Sequence, residues 1–197
     1  MAMDIGAMTP FFHAFREREI INEMMEETCG ARLTMNYIVP GGVMYDLHPN
    51  FQKKVKDFLK EFAGKIDEYD ELVTVNIIFK ARTVGVGALS KEAAISYGCT
   101  GPTARASGVT CDIRKIAPYD GYENVKFNEV IRTEGDCYAR YLVRMQEMRE
   151  SVSIIEQLID NIPEGDFQAK TKAVLKLPKG EFYSRVETAR GDFGVYI

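Results

Sequence analysis

The segment from Gly135 to Ile162 constrains the fold most. Tyr138, Leu142, Met145, Met148, Val152, Ile155, Ile159 and Ile162 follow one another at spacings of three and four, the period of one helix face. A helix of about 28 residues is ~40 Å long. Burying eight such side chains contributes on the order of 10–20 kcal/mol gross, an upper bound before chain entropy. Pro163 and Gly165 end the pattern. An element of this length needs others along its sides, so the chain is predicted mainly α with small β elements (α+β) and this helix as its spine.

The other elements are shorter. Thr9-Pro10 reads as an N-cap followed by proline in the first turn, opening a helix that runs to about Cys29 with Gly30 just beyond it. Its inward face draws on Phe11, Phe12, Phe15, Ile21, Met24 and Met25, and the charge run Arg16–Glu19 reads as a solvated or ion-paired face. Pro40-Gly41-Gly42 marks a turn between two short β-like pieces. A second helix starts near Asn50, with Phe51, Val55, Phe58, Leu59 and Phe62 as its stripe; Gly64 interrupts it, and a third helix follows from about Ile66 through Val75. VTVNIIF, ending at Phe79, reads as β-like. Ser90 and Gly98 bound a short helix. A Pro, Gly and Tyr-rich loop precedes the spine, a polar linker follows it, and the last 18 residues read as a β-hairpin turning at Arg190-Gly191-Asp192.

Composition excludes several classes. Apolar residues make up 46%, enough for a core, and the formal net charge of −4 with no long basic run argues against nucleic acid as partner. Four cysteines, at 29, 99, 111 and 137, are too scattered for a disulfide framework and fit a reduced, cytoplasmic chain. No apolar run reaches the ~18 residues of a membrane helix. The chain goes almost directly into a helix and stops on the strand-like GDFGVYI, so residues 1–197 read as a single partial domain.

Motifs for chemistry are few. GVGALS, Gly85 to Ser90, has glycines before a helix, but Ser90 stands where a dinucleotide loop needs its third glycine and position 105 is arginine instead of an acid. GPTARASG lacks the Gly-Lys-Ser/Thr of a phosphate loop. No Cys-x-x-Cys occurs, and His13 and His48 have no second ligand at helical or hairpin spacing, so no metal is expected on this chain. Asp4 stands apart, a carboxylate in the apolar run MAMDIGAM. It either caps the approach to the first helix or holds a histidine or arginine that the chain lacks. Gly98–Lys115 carries three glycines, a proline and several charges. It reads as an ordered joint in which Arg105, Asp112 and Arg114 form charge-assisted hydrogen bonds.

Six long stretches in order, DIGAMTPFFHAFRERE, CGARLTMNYIVPGGV, IDEYDELVTVNIIFKARTVGVG, YGCTGPTARASGVTCDIRKIAPYDGY, GDCYARYLVRMQEMRESVSII and VETARGDFGVYI, resemble the D-type (49 kDa) subunit of respiratory NADH–quinone oxidoreductase, complex I. The resemblance covers nearly the whole chain and is weakest over Gly165–Gly180. It corresponds to the middle-to-late part of such a subunit. It implies a fold like the large subunit of nickel–iron hydrogenases and peripheral placement on the cytoplasmic face of the plasma membrane. It also implies a B-type partner carrying a 4Fe–4S cluster, a C-type neighbour, and quinone reduced in the cleft with the B-type partner. NADH is used by other subunits, and this chain alone binds no cofactor and is inactive.

Two residues carry over. Asp4 matches the family's carboxylate that hydrogen-bonds a quinone-headgroup histidine, a residue this chain does not contain; an anion there raises the imidazole pKa and orients it. Thr34, in GARLTMNY, stands near the partner's cluster where many relatives have histidine. Threonine cannot titrate, so the resemblance implies a cluster uncoupled from that proton and suited to a lower-potential quinone such as menaquinone. The alternatives are a homologue in an energy-converting hydrogenase or F420H2 dehydrogenase complex, and a helical scaffold with no redox role.

Overall fold

The computed structural model describes residues 3–171 and 178–197. A turn of 3-10 helix, Met3–Ile5, precedes α1, Thr9–Cys29. The two-residue strands β1, Ile38–Val39, and β2, Gly42–Val43, pair antiparallel around Pro40-Gly41. Helix α2, Phe51–Tyr69, runs without a break into a π-helical turn, Asp70–Thr74. The short helices α3, Ile77–Thr83, α4, Lys91–Ser96, α5, Gly101–Arg105, and α6, Ile113–Ile116, follow. Helix α7, Cys137–Leu158, is the spine, and β3, Tyr183–Thr188, pairs antiparallel with β4, Gly191–Tyr196. The described residues are therefore mainly α with small β elements, as the sequence predicts.

Local chemistry explains most boundaries. Gly30 ends α1 in the left-handed region (φ 74°) and returns its N–H to Glu26 O. Asn76 caps α3 by accepting from the N–H groups of Ile78 and Phe79, Ser90 caps α4 at Ala93 N, and Asp136 caps α7 at Ala139 N. Gly98 closes α4 with φ 64°. Gly101 and Gly191 meet back to back, and a Cβ on either would run into the other's backbone. This contact seats the β3–β4 turn on the start of α5, where Asp192 N–H also donates to Thr100 Oγ1 at 3.1 Å.

Among the described residues, three clusters form the core. Met24, Val55, Leu59 and Ile159 join α1, α2 and the end of the spine. Ile66, Tyr69 and Met145 join α2 to its middle. Ala106, Ala139 and Val143 bring α5 against its first turns. A side chain as enclosed as Ile66 stabilises by about 1.5–3 kcal/mol gross.

Several expectations change. Thr9 is the first helical residue of α1 instead of its cap; Met8 precedes it with no side-chain capping bond. Gly64 does not interrupt α2, which runs through it from Phe51 to Tyr69. The separate third helix is the end of α2 plus the π turn, and the β-like VTVNIIF is largely helix, nucleated by the Asn76 cap. Of the six residues predicted to face inward from α1, Met24 is buried, Phe11, Ile21 and Met25 are partly buried, and two, Phe12 and Phe15, are exposed; Glu17 is buried instead. The spine is shorter than predicted and buries two faces, since α2 packs on one side and α5 on another; Ile155 of the predicted stripe is exposed while Ala139 and Val143 are fully covered. The C-terminal turn is Ala189-Arg190, because Thr188 pairs with Gly191. Residues 172–177 of the predicted polar linker lie outside the described residues; before them, Val43 N donates to Phe167 O and Ala169 N to Gly41 O, fastening the linker to the first hairpin.

Candidate functional site

The Gly98–Lys115 joint is built around Arg105. Its side chain is 2% exposed and lies between two carboxylates, Glu147 from α7 and Glu187 from β3, each 2.8 Å away. One guanidinium thus ties α5 to the spine and to the hairpin. Burial opposes its charge, but the two glutamates outweigh burial and hold its pKa above the ordinary arginine value. Glu147 moves the other way relative to its pairing: burial pushes its carboxyl up despite Arg105.

Asp112 and Arg114 are paired as well. Arg114 forks onto Asp112 through Nε at 2.9 Å and a terminal nitrogen at 2.6 Å, and stacks near Tyr122 and Phe127. Burial would raise the Asp112 carboxyl, but Arg114 and then Arg105 hold it below the usual range. Glu129 accepts from the N–H groups of Cys111 and Asp112, and Glu187 also accepts from Ile113 N. Tyr119 Oη accepts from Glu187 N at 3.0 Å. Burial pushes the Cys111 thiol up, away from the thiolate form. The paired charges of the joint therefore hold α5, α7 and β3 together. Sequence reasoning named Arg105, Asp112 and Arg114 but not their partners Glu147, Glu187 and Glu129, which lie 17 to 82 residues away in sequence. Over the joint lies an open groove of about 480 Å³ between α7, the β3–β4 turn and the loop after α6.

Asp4 lies in the 3-10 turn before α1 and is exposed. The cap position of α1 is Met8, and no side-chain capping bond is made there. The residues that follow Asp4, Ile5, Gly6 and Ala7, form one wall of an apolar crevice of about 190 Å³; Leu72, Val73, Ile78 and Phe79 form the other. The π turn positions this second wall. Thr74 Oγ1 hydrogen-bonds Asp70 and the Tyr141 hydroxyl, and Tyr138 donates to Thr74 O at 3.0 Å. Arg149 on the spine holds Asp70 at 2.6 Å. No sequence signal exposes this network, because a π turn depends on which side chains meet across helices.

Thr34 lies beyond the other end of α1, so the 21-residue helix separates it in sequence from Asp4. It is exposed, has φ 53°, and donates to the carbonyl of Leu33 at 2.7 Å. Leu33 and Met35 beside it are also exposed. Among the described residues no three histidine, cysteine, aspartate or glutamate side chains converge as a metal site. His13 pairs with Glu68 at 2.6 Å, and His48 Nδ1 accepts from Asn50 N. No helix of the described residues is long and apolar enough to cross a membrane.

Comparison with known proteins gives this geometry a context. The family model described as respiratory-chain NADH dehydrogenase, 49 Kd subunit, matches residues 4–177. The whole chain aligns at 57% identity with the NADH-quinone oxidoreductase C/D subunit of Bacteroides thetaiotaomicron, covering 37% of that relative. It aligns over its full length at 44% identity with the NADH-quinone oxidoreductase D subunit of Clostridium beijerinckii, covering 53% of it. With the NAD(P)H-quinone oxidoreductase H subunit of Thermosynechococcus vestitus it shares 42% identity, with 98% of the chain and 56% of the relative covered. The chain thus spans between about a third and somewhat over half of the length of these relatives. With a match that begins at Asp4 and runs through the joint and the spine, this chain belongs to the 49 kDa (D-type) family of respiratory-chain NADH dehydrogenase subunits.

Proposed function

We propose that the chain is part of the quinone-reducing module of a proton-translocating NADH–quinone oxidoreductase. In this reading it forms one wall of a quinone cleft with an iron–sulfur B-type partner, beside a C-type neighbour, on the cytoplasmic face of the plasma membrane. The observation that carries it is the full-chain likeness at 57% identity to a relative named as a subunit of that enzyme. The position of Asp4 supports it: the residue is exposed and directly precedes Ile5, Gly6 and Ala7, which wall an apolar crevice. The 4Fe–4S cluster is the partner's and supplies the electrons; this chain contributes the carboxylate and the apolar wall.

Asp4 acts as a positioning residue. It accepts a hydrogen bond from a headgroup histidine lying elsewhere in the longer protein, orients the ring and raises its pKa, so the ring is protonated and ready to donate to reduced quinone. Asp4→Asn in the assembled enzyme keeps the shape and removes the charge. NADH–quinone turnover is expected to fall by about tenfold or more, with the basic limb of its pH profile moved to lower pH. NADH oxidation by an artificial acceptor that takes electrons upstream of quinone is expected to stay unchanged. Full quinone turnover with an unmoved pH profile would refute the assignment.

Thr34 stands, in the same reading, near the partner's cluster and supplies no titrating group there. The cluster midpoint is then independent of pH, and Thr34→His introduces a pH slope. A clear pH-dependent midpoint in the unmodified enzyme would contradict this.

A further inference from the structure

The groove over Arg105 carries more positive charge than its own carboxylates answer. Arg105, Arg114, Arg144 and Arg190 line it against Glu147 and Glu187. Both glutamates are committed to Arg105, and Arg114 is committed to Asp112. Arg144 donates to the carbonyl of Arg140 at 2.8 Å and makes no ion pair among the described residues. Arg190 hydrogen-bonds through its backbone N–H, to Thr188 Oγ1 at 3.3 Å, and its side chain has no hydrogen bond or ion pair among the described residues. The two line the same groove. Burial lowers the Arg144 pKa, Glu147 opposes it more than any one neighbouring arginine works with it, and the charges of Arg140, Arg190 and Arg105 add to the lowering.

Both cations stand on rigid supports. Arg144 projects from the spine. Arg190 occupies the β3–β4 turn, which is pinned by Thr188 Oγ1 donating to Gly191 O and by the Gly101–Gly191 contact. Tyr122 and Met148 add apolar surface to the same groove. Arginine, tyrosine and methionine are the side chains enriched at the centres of protein interfaces. The groove is open and far larger than a lone oxyanion needs, so it suits a side chain delivered on a polypeptide.

We propose that the groove docks an acidic segment of a partner polypeptide, whose carboxylates pair with Arg144 and Arg190 while its apolar atoms lie on Tyr122 and Met148. The proposal rests on the chain working beside other subunits, not on quinone chemistry. Its test therefore avoids turnover.

Arg144→Lys and Arg190→Lys each keep the charge and install an amine. In the assembled enzyme, a water-soluble carbodiimide activates a carboxylate in contact with that amine. The amine displaces the activating group as a urea, and an amide forms with net loss of water. Peptide mass spectrometry identifies the carboxylate. The expected result is, in both variants, a link to an aspartate or glutamate of another polypeptide of the enzyme. In the Arg144→Glu, Arg190→Glu double variant, retention of that polypeptide at high salt falls at least tenfold. Links only to Glu147 or Glu187, links elsewhere in the same polypeptide, or no link in either variant would overturn the proposal. Millimolar inorganic phosphate protecting Arg144 and Arg190 from an arginine-selective dicarbonyl, with no link to another polypeptide, would mark a small-anion site and likewise overturn it. Retained melting temperatures in the two lysine variants exclude misfolding as the cause of a missing link.

Discussion

Arg105 and Arg16 each pair with two glutamates, in opposite surroundings. Arg105 is 2% exposed between Glu147 and Glu187, and the trio joins α5, α7 and β3. Arg16 is 50% exposed between Glu17 and Glu68, and joins α1 to α2. In the first trio every charge depends on another for its burial. In the second, water and salt share the work, and only Glu17 is enclosed, with Tyr69 Oη donating to it at 2.7 Å. The same residue types thus make a structural rivet in one place and an adjustable contact in the other.

Replacing the central arginines sharpens that contrast most. Arg105→Met leaves Glu187 buried without its cation and is expected to cost about 3–5 kcal/mol, read as a lowered denaturant midpoint. Arg16→Met barely moves the midpoint, and the small loss shrinks further in 1 M salt. Equal losses at the two positions would break the comparison.

A smaller effect separates the two regions in acid. Burial works to raise the Glu17 carboxyl, but the hydrogen bonds from Tyr69 and Arg16 outweigh it, so its folded pKa is lowered. Such a group adds stability above its unfolded pKa, about 4.3, and loses that contribution as pH falls through the folded value. Glu147 is raised in the folded state, so protonation relieves a cost and its contribution grows as pH falls. Glu17→Gln is therefore expected to cost about 1–3 kcal/mol at pH 7 and to flatten the loss of stability below pH ~4.3. A slope unchanged from the parent protein would show that Glu17 does not carry the acid sensitivity.

How far each region is legible in the sequence follows from the range of its interactions. Gly30, Ser90 and Gly98 announce helix ends because a cap is settled by residues two to four positions away. Asn76 is just as local, but the β-branched residues around it mask the cap. The burial of Glu17 cannot be read at all, since it depends on Tyr69, 52 residues on. The spine is recognisable by its period, yet its register is not, because packing on two sides lets small residues such as Ala139 face one neighbour. In the joint, Arg105, Asp112 and Arg114 stand out as charges within a glycine-rich stretch, while their carboxylate partners have no mark of their own. Asp4 is conspicuous by contrast alone, a carboxylate in an apolar run, and the crevice beside it depends on a π turn that no local pattern announces.

Native-state hydrogen exchange with increasing denaturant, on the full protein, tests the contrast most directly. The amides of Ala106, Ala139 and Val143, packed where the Arg105 trio closes, are predicted to exchange only through global unfolding, with the full denaturant dependence. The amides of Phe12 to Arg16, in the exposed first turns of α1, are predicted to exchange through local opening that denaturant barely accelerates. Local, denaturant-insensitive exchange at Ala106 and Val143, as fast as in those first turns, would contradict the account of the joint as the rivet of this fold.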